Sequence, residues 1–265
     1  MLAELESLIR REAFPTIFCR GCGTGTVLNA TLRSLRNLDD RFSLCLVGGI
    51  GCSGWLPTYI RKDVIHTAHG RAIPVATGLK LANPSLKVIV FTGDGDCLAI
   101  GTNHLIHAAR RNIDLTVVMI NNGVYAMTGG QAAPTTRLGG KTKTTARGNL
   151  ERPLDGCGLA ISAGATYVAR WTTAHPRQIS RCLVEAVEHD GFSYVEILSQ
   201  CPTQAGRYLE GEDSPPVLLR IIRERTAKVE QLRDYPDETK VPLGTILHRK
   251  DVPEFAGLVI KHEKE

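Results

Sequence analysis

Apolar residues fall along this chain in short continuous runs, and each run ends at a glycine or asparagine turn. Residues 42–47 lead into Gly48-Gly49-Ile50-Gly51, residues 87–92 (KVIVFT) into Gly93-Asp94-Gly95-Asp96, and residues 115–120 (LTVVMI) into Asn121-Asn122-Gly123. Runs of this length without alternation predict strands buried on both faces, as in a parallel sheet. Between them, residues 72–81 and 100–111 have helical character, the second with Leu105, Ile106, Ala108 and Ala109 on its inner face. Residues 176–189 predict an amphipathic helix whose apolar stripe is Ile179, Cys182, Leu183, Ala186 and Val187, and residues 194–198 (YVEIL) a last strand. Strand, helix, strand at this spacing is a right-handed βαβ unit, with its loops at the carboxyl ends of adjacent strands, where ligands bind in open α/β sheets. The expected fold is therefore α/β, a mostly parallel sheet with helices on both faces.

Two segments break the pattern. Residues 129–149 are rich in Gly, Thr and Lys and have no hydrophobic period, which predicts a functional loop or lid. From Gly206 the chain turns to charged helix, proline and polar tail. The expectation is a domain over residues 1–205 and a C-terminal arm over 206–265 that packs on a partner subunit.

Composition narrows the class. A chain of 265 residues with 43% hydrophobic content suits one large domain plus a tail, or two modest domains, and a folded chain of this size buries roughly 75% of its unfolded surface. The net charge of +5 comes from 32 basic and 27 acidic residues without any block of like charge, which argues against a nucleic-acid arm. No apolar run approaches the roughly 18 residues of a membrane span, and the charged N-terminal stretch lacks a signal-peptide core. A cytoplasmic protein is expected, in which the eight cysteines need a metal or core explanation.

The chemistry concentrates at the strand ends. Gly93-Asp94-Gly95 puts one carboxylate at the sheet edge, and the glycines let backbone N–H groups approach a phosphate. After 25 intervening residues Asn121-Asn122 brings an amide oxygen to the same point. Mg²⁺ takes about six oxygens near 2.1 Å, often shared with phosphates. Asp94, Asn122 and a backbone carbonyl would supply three, a diphosphate two, and water the last. Among the cysteines, Cys19-x-x-Cys22, Cys52 and Cys201 lie at turns where four thiolates could meet; spacing alone leaves zinc and an iron–sulfur cluster both open. Cys45 and Cys182 read as core residues, and Cys97 and Cys157 flank glycine turns. The pair His104-x-x-His107 reads as core or surface histidine, whereas His69-Gly70-Arg71 begins a helix and suits an anion or cofactor contact.

Together the segments FPTIFCRGCGTGTVLNA, GGIGCSGW, HTAHGRAIPVATGLKLANP, VIVFTGDGD, INNGVYAMTGGQAAPTT and SQCPTQAGR, in order over residues 14–207, resemble the β subunit of the 2-oxoacid:ferredoxin oxidoreductases. The run YAMTGGQxxPTT and the tail HRKDVPEF resemble the 2-oxoglutarate branch. The resemblance implies a thiamine-diphosphate-binding fold and a [4Fe–4S] cluster on Cys19, Cys22, Cys52 and Cys201. It also implies Mg²⁺ on Asp94, Asn122 and the Val124 carbonyl. Gly51, Cys52, His69, Gly93, Gly95, Asp96, Thr128 and Gly129 would line the cofactor, with His69 positioning substrate. The implied reaction joins a 2-oxoacid and coenzyme A to give acyl-CoA and CO₂, with electrons passing to ferredoxin, in a complex with an α subunit and in some cases γ and δ subunits. Three departures stand out: Arg20 where the family usually has proline, Gly129 where some members carry lysine, and Trp55 at a position that varies with substrate. Two other classes compete: a non-redox thiamine-diphosphate decarboxylase or synthase whose cysteines bind zinc or nothing, and a non-catalytic electron-transfer subunit.

Overall fold

A computed structural model of the chain describes residues 2–38 and 41–262. Met1, residues 39–40 and residues 263–265, the last of these at the end of the expected C-terminal arm, lie outside the described residues. The helices are α1 (Leu2–Ser7), α2 (Gly23–Leu38), α3 (Ala72–Ala82), α4 (Thr102–Arg110), α5 (Gly156–Ala163), α6 (Pro176–Glu188), α7 (Pro215–Glu224), α8 (Val229–Asp234) and α9 (Phe255–His262). The strands are β1 (Leu44–Gly48), β2 (Asp63–His66), β3 (Lys87–Gly93), β4 (Thr116–Asn121), β5 (Val124–Tyr125), β6 (Gln131–Ala132), β7 (Tyr167–Thr172), β8 (Ser193–Leu198), β9 (Thr226–Lys228) and β10 (Val241–His248).

Eight strands form one sheet in the order β2-β1-β3-β4-β8-β7-β10-β9, parallel throughout except where β10 runs antiparallel to β7. The central strands are apolar on both faces because helices cover both. Ile89 and Phe91 of β3, with Val118 and Ile120 of β4, pack under α2 and α6. Their neighbours Val88, Val90, Val117 and Met119 turn the other way, into a core shared with α3, α4 and α5. This two-sided burial is what the unbroken runs predict.

The differences from expectation have local causes. The strand expected over residues 42–47 is β1, Leu44–Gly48, while Phe42 stays outside the strand beneath the Arg41 and Lys87 cations. The helix expected over residues 100–111 is α4, Thr102–Arg110, preceded by a wide π-turn over Asp96–Ile100 in which the Gly101 N–H donates to the Asp96 carbonyl. The Asp96 side chain is held by three other segments, and the first turn widens around it. Residues 129–149 are mostly turns, apart from β6, which pairs with β5. Strand β7 was not expected, since Arg170 interrupts its apolar run. Nor was β10, which joins part of the C-terminal segment to the main sheet. Among the described residues no helix is long and apolar enough to cross a membrane.

Candidate functional site

The carboxyl ends of β1, β3 and β4 open on one side of the sheet, and their turns surround a cavity of about 90 Å³. Gly51, Cys52, His69, Gly93, Asp94, Gly95, Asp96, Asn122, Val124 and Thr128 all line it; Gly129 follows immediately after Thr128. The sequence-predicted residues that line it, from Gly51 to Thr128, 77 positions apart in the chain, are therefore neighbours. A second cavity of about 260 Å³ lies behind Asn121–Gly123, between Cys201 and α7, and is largely apolar.

Asp94 is 2% exposed. The Thr135 hydroxyl donates to its Oδ2 at 2.5 Å and the Gly123 N–H donates to the same oxygen at 3.2 Å. Burial pushes its carboxyl up to about 6 even though hydrogen bonds from Thr135 and from backbone N–H groups pull the other way. Among the described residues no lysine or arginine forms an ion pair with it. A buried carboxylate without a cationic partner, beside the Asn122 amide and the buried Val124 backbone, is a hard-oxygen donor set that fits Mg²⁺. The Asn122 Oδ1 accepts from the Val124 N–H at 3.1 Å, which fixes the amide in the turn.

Asp96 is also buried, and its role is to join loops. Its Oδ1 accepts from the Gly70 N–H at 2.7 Å, and its Oδ2 accepts from the Thr92 hydroxyl at 2.7 Å and the Ile50 N–H at 3.3 Å. The Nδ1 of His69 lies 2.8 Å from Oδ1, close enough for an ion pair but without the alignment of a hydrogen bond. Gly49 makes this approach feasible, because a Cβ there would lie 1.9 Å from Oδ2. Tyr125 closes the pocket wall by donating to the Gly95 carbonyl at 3.2 Å, and a Cβ on Gly95 would meet its ring at 2.2 Å.

The four cysteines converge. Cys52 caps the short helix Ser53–Tyr59, and its thiol is pushed up to about 11 by burial and then by Cys22, Cys201 and Cys19. Burial raises Cys201 in the same way, with Cys22 and Cys19 adding to it. The Cys19–Cys22 turn is tied to the Cys201 turn by two bonds: the Gly23 N–H donates to the Gln200 carbonyl at 3.0 Å, and Gln200 Nε2 donates to the Gly21 carbonyl at 3.1 Å. Gly23 has no alternative here, since a Cβ would fall 2.2 Å from Ser199 Oγ. No three of these sulfurs lie within 4.8 Å of one another. Tetrahedral zinc, with Zn–S bonds of about 2.3 Å, would need them about 3.8 Å apart. Cys45, Cys97, Cys157 and Cys182 are each 5% exposed or less and serve the core. His104 and His107 lie on α4, half-buried and exposed respectively, in no metal-binding group.

Sequence reasoning missed the residues that brace the site. The Asn121 Oδ1 accepts from Thr135 and from the Gly123 N–H, both at 3.0 Å, while its Nδ2 donates to Glu196 Oε1 at 2.7 Å. Glu196 Oε2 accepts from Arg170 Nε at 2.6 Å, and Arg170 also donates to Asp155. The signal was present: Arg170 and Glu196 are lone charges within apolar strands, and they fall opposite each other in the β7–β8 register. With Arg170 between them, the cluster of Asp155, Cys157 and Glu196 is an ion-pair network and not a metal site.

Residues 49–197 match the family described as thiamine pyrophosphate enzyme, C-terminal TPP binding domain. The 2-oxoglutarate synthase subunit KorB of Methanocaldococcus jannaschii is 45% identical over 251 residues, covering 93% of this chain and 92% of that protein. The subunit of the same name from Archaeoglobus fulgidus is 54% identical over 203 residues, 77% of this chain and 76% of that one. Among solved structures, 2-oxoglutarate:ferredoxin oxidoreductase from Magnetococcus marinus, with 2-oxoglutarate, coenzyme A and succinyl-CoA bound, superposes with a TM-score of 0.87 at 33% identity. That match covers 98% of this chain and 89% of that one.

Proposed function

Since the chain belongs to the β subunits of the 2-oxoacid:ferredoxin oxidoreductases, in the branch of the 2-oxoglutarate synthases, we propose that it carries the diphosphate half of the active site and the first electron acceptor. The enzyme converts 2-oxoglutarate and coenzyme A to succinyl-CoA and CO₂ and works with partner subunits. The observation that carries the residue assignment is the double role of Cys52. It lines the pocket that holds Asp94 and Asn122, and it stands within electrostatic reach of Cys19, Cys22 and Cys201.

Asp94, the Asn122 amide and the Val124 carbonyl hold Mg²⁺ and through it the diphosphate. Bound thiamine diphosphate supplies the electron sink that lets CO₂ leave. Gly51, Cys52, Gly93, Gly95, Thr128 and Gly129 shape the cofactor wall, and Asp96 fixes the two loops that form the floor. His69 is held against Asp96 and presents its ring to the substrate as a positioning group. Cys19, Cys22, Cys52 and Cys201 would hold a [4Fe–4S] cluster, which would supply one-electron chemistry beside the cofactor, with ferredoxin as the external acceptor. The C-terminal arm, residues 206–265, contacts the α subunit. The protein works in the cytoplasm.

The test is made on the purified complex. Metal analysis should give about four irons per chain, with visible charge-transfer absorbance that bleaches when 2-oxoglutarate and coenzyme A are added. Cys201→Ser should remove that absorbance and leave thiamine diphosphate bound. Zinc in place of iron would overturn the cluster assignment, and a stronger rate on pyruvate or on a branched-chain or aromatic 2-oxoacid would overturn the substrate.

A further inference from the structure

Asp94 follows β3 and Asn122 follows β4, so two separate turns must be held at a fixed spacing before their oxygens can share one cation. A hydroxyl from a third segment ties them together. The Thr135 Oγ1 lies 2.5 Å from Asp94 Oδ2 and 3.0 Å from the Oδ1 of Asn121, the neighbour of Asn122. Its single proton is shared between these two acceptors and favours the carboxylate, the nearer and charged one. Thr135 lines the apolar cavity of about 260 Å³ and not the cofactor pocket, so it reaches both side chains from behind. The Gly123 N–H donates to the same Asp94 oxygen. Both bonds go to Oδ2, which makes Oδ1 the oxygen they leave to a cation.

Thr135 is itself held on both sides. The next hydroxyl, of the fully buried Thr136, donates to the Gly123 carbonyl at 2.6 Å and accepts from the Ala133 N–H at 2.8 Å. Asn149 Nδ2 donates to the Thr136 carbonyl at 2.8 Å, and the Leu154 N–H donates to the Pro134 carbonyl at 2.9 Å. The segment then returns to the same network at Asp155, which accepts from Arg170. Arg170 donates to Glu196, and Glu196 accepts from Asn121. Thr135, Asn121, Glu196, Arg170 and Asp155 thus form a ring that the chain between Thr135 and Asp155 closes. A hydroxyl anchored in this way loses little freedom when a cation arrives.

We propose that Thr135 is a positioning residue for the metal: its hydroxyl fixes Asp94 and sets the spacing between the Asp94 and Asn122 turns, an assignment that rests on the function proposed above. Mg²⁺ demands near-ideal octahedral geometry, so a carboxylate left free to rotate binds it less well. Hydrogen-bond partners behind a ligand supply that orientation. The segment over residues 129–149 therefore serves the site by bracing its metal end from behind.

The test compares two variants in the intact complex. Thr135→Val keeps the shape and loses the hydroxyl, whereas Thr135→Ser keeps the hydroxyl and loses the methyl. Mn²⁺ in place of Mg²⁺, with thiamine diphosphate present and 2-oxoacid absent, is titrated by electron paramagnetic resonance. The valine variant should raise the Mn²⁺ Kd about ten- to a hundredfold, and the serine variant should bind as wild type does. Wild-type affinity in the valine variant overturns the proposal. Equal losses in both variants overturn it as well, since packing of the methyl would then matter and not the hydroxyl. Should the valine variant fail to assemble, Thr135→Ala against Thr135→Ser makes the same comparison of a lost and a kept hydroxyl. A wild-type complex that binds no Mn²⁺ with thiamine diphosphate overturns both this role and the Asp94 and Asn122 assignment. One that binds it but turns over no 2-oxoacid overturns the proposed function alone, and the variants still decide the role of Thr135.

Discussion

Replacing Asp94 by asparagine should stabilise the chain when metal and cofactor are stripped away, and should abolish the stabilisation they bring. The carboxyl moves from an ordinary value of 3.8 to about 6 on folding, because it loses its water. At about 1.4 kcal/mol per pH unit, the ionised group destabilises the metal-free fold by about 3 kcal/mol at pH 7. Asparagine is isosteric and neutral, and its Oδ1 can still accept from Thr135 and Gly123. For a chain of this size, 3 kcal/mol corresponds to a rise in Tm of roughly 5–10 °C.

The sign of the pH dependence follows. A carboxyl whose pKa is raised by folding contributes most below its unfolded value, and that contribution is lost as pH rises through its folded value. The difference in stability between wild type and Asp94→Asn should therefore open between pH 3.8 and about 6 and stay constant above. With Mg²⁺ and thiamine diphosphate at a hundredfold excess over Kd, wild type should regain about 2.7 kcal/mol. Thermal unfolding of the full chain at several pH values, with and without both ligands, measures all of this. A variant no more stable than wild type at pH 7 without ligands, or one still stabilised by Mg²⁺ and thiamine diphosphate, would refute the account of Asp94 as a buried charge awaiting a cation.

Two further outcomes are expected. Glu196→Gln should cost about 3 kcal/mol in a denaturant titration and weaken Mg²⁺ binding. Both Glu196 oxygens accept from donors, so the new amide N–H must face either Asn121 Nδ2 or Arg170 Nε. Asp114→Ala should cost a similar amount, about 3 kcal/mol, because Asp114 holds Lys80 at 2.6 Å and Lys87 at 3.0 Å. Those residues lie at the opposite end of the sheet from the pocket, so calorimetry should find Mg²⁺ and thiamine diphosphate affinity unchanged.

The sheet was legible because its central strands are covered on both faces, which leaves unbroken apolar runs such as KVIVFT and LTVVMI. The pocket was legible because glycines and one carboxylate at strand ends are local signals. What stayed hidden depends on distance in the chain. Arg170 and Glu196 make sense only as partners across β7 and β8, and Arg170 alone argues against the strand that carries it. Strand β10, which lies between β7 and the edge strand β9, alternates weakly and includes Pro242 and Gly244, so its place beside β7 is set by tertiary pairing.

The turn containing Gly51 and Cys52 is a party wall between two rooms, one shaped for the cofactor and one for the thiols. Its geometry is tightly specified: Gly51 has φ +109, and a Cβ on Gly54 would strike the Gly49 carbonyl at 1.9 Å. The two rooms are therefore not modular. Under the proposed assignments, exchanging Cys52 to silence the electron outlet would also reshape the chamber where carbon bonds are broken. Oxidative loss of metal from the thiols would likewise loosen the wall that grips the cofactor. Air sensitivity and cofactor leakage would then be a single failure, and a remedy for one would have to pass through the other.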